Sequence, residues 1–369
     1  MNDIQEKDLN TPVKIKVSRL AIVAISLTLL GLILFVVGFA ILINVPRPLD
    51  STKPLYEIVF NISFFIFMFA IIFGFISYIL IEKRGGKITG RNFAIGSIVI
   101  SICICIFPHG IIFLRNSHQI AYRMVCGTNL SGLGKSMLIY ANDYDDKFPF
   151  ISNQNMSWGT SVKWDATTQK EAYGINDDGT GGSATISSSL YLLIKYMDVT
   201  PKSFICKGDK KMSLFEPEKY GVKGRSLADF WDFGPEPWKH YSFSYQMPFG
   251  ENFLTNLSEP GLAVAADRNP WIASRGWKVK DFNAFDPDGD KEDVQKGNTS
   301  THNNEGQNIL YLDTHVEFRV ESFCGVNEDN IYTSWDGSDI RKGTPPVFGS
   351  TSKNKVDSLL VNDPAPSNY

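Results

Sequence analysis

Three long apolar stretches, residues 20–45, 58–81 and 93–114, constrain this chain more than any other feature. Each runs about 22–26 residues with almost no charge, enough to cross a hydrocarbon core of roughly 30 Å at 1.5 Å per residue. They predict three transmembrane helices: two within residues 1–91, and a third opening the segment 92–149. A cleaved signal peptide is a poor reading of the first, whose apolar run is too long and is followed by Val45-Pro-Arg-Pro rather than a small-residue cleavage site.

Basic residues set the expected orientation. Lys14, Lys16 and Arg19 precede the first helix, and Lys83, Arg84, Lys87 and Arg91 crowd the connection between the second and third. Both segments are expected on the cytoplasmic side, and three crossings then put everything after the third helix outside. The lipid bilayer is thus the first expected partner.

The charge is divided accordingly. Up to Arg115 there are 11 Lys and Arg against 6 Asp and Glu, leaving 25 against 33 beyond it. An acidic soluble part argues against nucleic acid as its partner. Of five cysteines, Cys103 and Cys105 fall within the third apolar stretch, while Cys126, Cys206 and Cys324 belong to a compartment expected to permit disulfides. Three is odd, so at most one bridge forms within a molecule. Cys126–Cys206 is the candidate, although nothing local selects that pairing.

Beyond the third stretch, Cys126, Leu130, Leu133, Met137, Tyr140 and Tyr144 recur at spacings of three and four, which predicts an amphipathic helical continuation. Asp145-Asp146 and Phe148-Pro149 end it. Residues 152–188, rich in Asn, Ser, Thr and Gly, read as a surface insertion, and residues 189–196 resume helical spacing. Residues 203–206, 241–247, 262–266, 308–312 and 315–320 have strand composition. Residues 150–369 are therefore expected to be an α+β domain, the long helix packed on a small antiparallel sheet. Its clearest hairpin turns at Asp313-Thr314, where threonine resists the positive φ of a tight turn.

Two resemblances cover most of the chain. Gly90-Arg-Asn-Phe-Ala-Ile-Gly96, after Lys83-Arg-Gly-Gly-Lys87, resembles the basic loop of a small bacterial membrane domain of unknown function. The remainder resembles prepilin-like proteins bearing the H-X9-DG domain, numerous in planctomycete-type bacteria and related to type II secretion pseudopilins. Residues 126–149, Ser203-Phe-Ile-Cys-Lys-Gly-Asp209, Ala265-Ala-Asp-Arg-Asn-Pro-Trp271 and residues 302–318 carry the likeness. This chain departs from the pattern at His302, which is followed by ten residues and Asp313-Thr314 where the family has nine and Asp-Gly. Lys207 stands where the family has proline. The third apolar stretch also lacks a prepilin cleavage motif, so the resemblance implies pilin-like architecture without release into a filament.

Several residues are candidates for chemistry. His302, Asp313 and His315 form a possible metal set, the last two sharing a strand face; the alternative is an imidazole hydrogen-bonded to backbone or to Asp313 to pin the hairpin. Asp286, Asp288, Asp290 and Asp293 surround a glycine at the alternate spacing that wraps calcium, and pseudopilins of similar build hold calcium near their sheet; a solvated acidic turn is the plainer reading. Asp267, Arg268, Asn269 and Trp271 follow an apolar strand and could line a cleft, or simply bond internally. Trp231, Trp238, Trp271 and Trp277, with Tyr241 and Tyr245, suit either a sugar or a core. No nucleophile, P-loop or dinucleotide motif is present.

The sequence thus predicts a non-enzymatic, membrane-anchored, pseudopilin-like protein whose external domain contacts a protein partner in a secretion or pilus-like machine or the cell envelope. An external carbohydrate- or calcium-binding module is the alternative, and a hydrolase comes third.

Overall fold

The computed structural model describes residues 16–44, 55–84, 88–151, 155–209 and 211–366, with side chains of residues 16, 42–44, 55–57, 88 and 107–118 excepted. The chain divides into two compact units, Met1–Ser117 and His118–Tyr369.

The first unit holds α1 (Arg19–Asn44), α2 (Leu55–Lys83) and the opening turns of α3 (Arg91–Asp143). Two short strands, β1 (Lys16–Val17) and β2 (Ile88–Thr89), pair in parallel, so α1 and α3 set out from a common edge. Helices α1 and α2 are long and apolar enough to cross a membrane over Arg19–Ile41 and Ile58–Lys83. The described apolar part of α3, Arg91–Ile106, is shorter. The side chains of the rest of the third expected span, with His109, lie outside the described residues, as does Val45.

Packing within this unit inverts the pattern of a water-soluble core. Ala21, Ala24, Thr28, Ser63, Ala70, Ser77, Ala94, Ser97 and Ser101 are buried, whereas Ile33, Val36, Phe65 and Phe69 are exposed. Thr28 Oγ1 lies 2.7 Å from Ser97 Oγ and 3.2 Å from Ser101 Oγ, joining α1 to α3. Close approach depends on glycine: a Cβ on Gly31 would sit 2.8 Å from the Phe67 ring.

In the second unit, residues 155–188 of the expected surface insertion are more folded than their composition suggests. Strands β3 (Ser157–Trp158) and β4 (Ser183–Ala184) pair in parallel around α4 (Gln169–Tyr173). Trp158, Trp164 and Tyr173 are buried, so aromatic anchors tie this segment to the core. Helix α5 (Ile186–Met197) follows, capped by the Thr185 hydroxyl.

Strands β5 (Phe243–Gln246), β6 (Ala263–Asp267), β7 (Gln307–Tyr311), β8 (Val316–Arg319) and β9 (Leu360–Val361) build an antiparallel sheet in the order β8-β7-β6-β5-β9. A short helix, α6 (Lys291–Gln295), lies in the connection between β6 and β7. Residues 203–206 are not a strand: Pro201–Phe204 is a 3-10 turn, started by a proline whose fixed φ suits the first helical position.

The sheet is covered on both sides. Phe243, Tyr245, Val264 and Leu310 join one cluster with Cys126, Leu130, Leu133 and Met137 of α3 and with α5, while Ala266, Ile309, Tyr311 and Leu360 join Trp271, Phe285, Ile331 and Tyr332 in another. Two-sided burial explains why β5–β7 carry few charged residues. Helix α3 lies close against the sheet at Gly134, where a Cβ would lie 2.6 Å from Leu310 Cδ1.

The helical stripe is buried from Cys126 to Tyr140, with Ala141 beside it. Tyr144 does not belong to it. It follows the last helical residue, is 38% exposed, and stacks on Tyr140 at 4.2 Å between centroids. Asp145 and Asp146, at φ 55° and 60°, turn the chain out of the helix. At the β7–β8 turn Thr314 has φ 71°, so a β-branched residue occupies a left-handed position.

Candidate functional site

Antiparallel pairing of β6 with β7 sets Ala266 opposite Ile309, which brings the end of β6 to the start of β7. Asp267 and Asn308 are therefore neighbours. Asp267 Oδ2 accepts from the Asn308 backbone N–H at 2.8 Å and from Asn308 Nδ2 at 3.1 Å. The turn before β7, with Asn303 and Asn304 left-handed, delivers His302 Nε2 to 3.3 Å from the same carboxylate oxygen. Gly208 makes room for the imidazole, since a Cβ there would be 3.0 Å from His302 Cε1 and Nδ1.

Two further elements meet at this point. Cys126, on the buried stripe of α3, and Cys206, just beyond the 3-10 turn, are joined by a disulfide. Cys206 Sγ lies 3.7 Å from His302 Nε2. The sulfurs, the imidazole nitrogen and the carboxylate oxygen all lie within 4.8 Å of one another, and all four residues are buried. Four stretches scattered over nearly two hundred residues thus converge on one polar knot beneath the helix.

The next residue, Arg268, serves a second buried bond. Its Nε donates to Asp209 Oδ2 at 2.7 Å, while Trp277 Nε1 donates to Asp209 Oδ1 at 2.8 Å. Asn269 Nδ2 donates to the Tyr332 and Leu360 carbonyls at 2.8 and 2.9 Å, tying the sheet to the loops that cover it. Trp271 is buried against Phe282 and Phe285. Asp267, Arg268, Asn269 and Trp271 therefore bond internally; a small pocket runs past Arg268 and Asn269 to Trp277 and Thr301.

The proposed trio of His302, Asp313 and His315 is not assembled. His302 precedes β7 and Asp313 follows it, so the five-residue strand separates them by roughly 15 Å. Asp313 and His315 sit in the exposed turn rather than on a strand, where His315 Nδ1 lies 2.5 Å from Asp313 Oδ1. The partner of His302 is Asp267, which the hairpin spacing could not indicate.

The carboxylates of the acidic loop are each occupied. Asp286 Oδ1 accepts from the Asp288 backbone at 3.0 Å, and Asp290 caps α6. Asp288 binds the Arg341 guanidinium at 2.7 and 3.1 Å, and Asp293 pairs with Lys296. Among the described residues, the loop does not gather three ligands around a common point.

Two buried carboxylate pairs went unnoticed in the sequence. Asp363 accepts from the backbone N–H groups of Ile186 and Ser187 at 2.8 Å, at the N-terminus of α5. Burial, reinforced by the nearby Asp363 charge, pushes the Asp232 carboxyl up to about 7. Burial likewise pushes Asp329 up to about 8, with Asp357 adding to the effect. Of the aromatic group, Trp231, Trp271, Tyr241 and Tyr245 are buried and Trp238 and Trp277 half-buried.

Comparisons with protein-family models, curated proteins and solved structures return no match.

Proposed function

We propose that this chain is a membrane-anchored, non-enzymatic protein with a pseudopilin-like external domain that makes protein contacts in the cell envelope. The observation carrying this reading is the inverted packing of the first unit. Small and hydroxyl-bearing side chains meet between helices while Ile33, Val36 and Phe65 point outward, the pattern expected where lipid replaces water. The parallel β1–β2 pair supports the topology, because it starts α1 and α3 from one edge, beside the basic segments assigned to the cytoplasm. The disulfide is in keeping with an oxidising compartment for the second unit.

A protein partner is supported by the outer face of α3. Ile120, Met124 and Ile139 are 56%, 69% and 59% exposed. At 100° per residue they fall within about 100° of one another, on the side away from the buried stripe. Among the described residues no comparable feature favours a saccharide or calcium: the aromatics are largely core, and the acidic loop is satisfied by caps and cations.

Photo-crosslinkers placed at Met124 and Ile139 in native membranes test this reading. It expects adducts with envelope proteins from these positions and none from Asp178, which is exposed but lies outside α3. Adducts to lipid alone, or none at all, would overturn it.

A further inference from the structure

We infer that the buried knot of Cys126, Cys206, Asp267 and His302 is a zinc site when its disulfide is reduced. The inference does not depend on which side of a membrane the second unit occupies.

The donor set is the first argument. Two thiolates, an imidazole nitrogen and a carboxylate oxygen make a four-donor sphere of the borderline-soft kind that zinc takes in tetrahedral sites. The geometry is the second. With Zn–S near 2.3 Å and Zn–N or Zn–O near 2.0–2.1 Å, a tetrahedron sets sulfur about 3.6 Å from nitrogen and nitrogen about 3.4 Å from oxygen. Here Cys206 Sγ to His302 Nε2 is 3.7 Å and His302 Nε2 to Asp267 Oδ2 is 3.3 Å. Two edges of the tetrahedron are already set by the fold. A further edge, between the sulfurs, opens to non-bonded contact once the S–S bond is cleaved, and the remaining pairs lie within 4.8 Å.

A third argument comes from polar satisfaction. Asp267 Oδ1, fully buried, has no hydrogen-bond partner among the described residues. Buried carboxylate oxygens are seldom left so, and a cation held by both oxygens of Asp267 would satisfy it. Asn308, donating twice to Oδ2, orients the carboxylate as second-layer partners of metal ligands do.

The exchange balances with a dithiol as reductant. Cleavage of the Cys126–Cys206 bond takes two electrons and two protons from the dithiol, which closes to its own disulfide. Zinc then displaces the two thiol protons to solvent. In the reverse exchange a disulfide oxidant takes two electrons from the two thiolates and leaves as its dithiol, the Cys126–Cys206 bond re-forms, and the metal is released. Bond and metal are thus alternative staples of α3 to the segment after the 3-10 turn, the metal also engaging Asp267 of β6 and His302 before β7.

The test uses the full chain in detergent, reduced anaerobically and incubated with zinc or cobalt(II), then desalted and assayed for bound metal. Cys103, Cys105 and Cys324 are replaced by alanine in a parallel sample so that other thiols do not contribute. Reduced protein is expected to retain one metal per chain, with thiolate-to-cobalt charge-transfer absorption and tetrahedral d–d bands, and the oxidised protein none. Asp267→Asn and His302→Gln should weaken retention at least ~10-fold. Equal retention by oxidised and reduced chains, or by a Cys126→Ser/Cys206→Ser chain, would overturn the assignment. So would cobalt spectra lacking the thiolate bands, a result that does not require any variant to fold.

Discussion

His302 and Asp267 face each other across 3.3 Å with no solvent access, although 34 residues separate them in the chain. Asp267 also holds both donors of Asn308, so it is the hub through which the turn before β7 is fastened to the sheet. Asp267→Ala would leave the imidazole and two amide donors buried without an acceptor. The expected cost is about 3–5 kcal/mol in denaturant unfolding of the full chain, and a loss below about 1 kcal/mol would show that the knot contributes little.

Thr314 carries a testable strain. A left-handed residue with a Cβ costs roughly 1–2 kcal/mol relative to glycine, and branching at Cβ adds to it. Thr314→Gly should therefore raise stability by about 1 kcal/mol despite the entropy glycine brings to the unfolded chain. Thermal melts that show the glycine variant less stable would contradict this.

Two glycines of α3, two residues apart, should respond oppositely to a side chain. Nothing lies within 4 Å of a Cβ on Gly132, so Gly132→Ala gains the helix-propensity difference, about 1 kcal/mol. Gly134 abuts Leu310, and Gly134→Val should lose about 1–3 kcal/mol by overpacking. Equal responses at both positions would mean that α3 does not press on β7 there.

These contrasts also indicate what could be read in the sequence. The apolar lengths of α1 and α2, the stripe from Cys126 to Tyr140 and the alternation of β8 are local patterns that the fold keeps, whereas β7, expected to alternate, is buried on both faces. Strand β9 is two residues long, too short for periodicity to register. Residues 203–206 had strand composition, but Pro201 imposed a turn. His302 was paired with Asp313 because they are close in sequence. Its actual neighbour comes from β6, and only the strand pairing could bring it there. One usable clue was present, since Asp267 ends an apolar strand and Asn308 begins the next.

Asp329 and Asp232 should make a contribution to stability that falls as pH rises from about 4 to 8. In the unfolded chain carboxyls release their protons near pH 4, while in the fold Asp329 holds its proton to about 8 and Asp232 to about 7. The folded state therefore binds more protons across that window, and their contribution is lost as pH rises through the folded values. Asp329→Asn should flatten the slope, raising the melting temperature by about 2–4 °C at pH 8 for each kcal/mol recovered and leaving it unchanged near pH 4. An unaltered slope in the variant would exclude Asp329 as its source.

The measurement bearing most directly on the whole account is topology. Alkaline phosphatase, which is active only outside the cytoplasm, would be fused behind Tyr369 and, separately, behind Arg84. Activity from the Tyr369 fusion and none from the Arg84 fusion is the predicted result. An inactive Tyr369 fusion with an active Arg84 fusion would place the second unit in the cytoplasm and contradict the account.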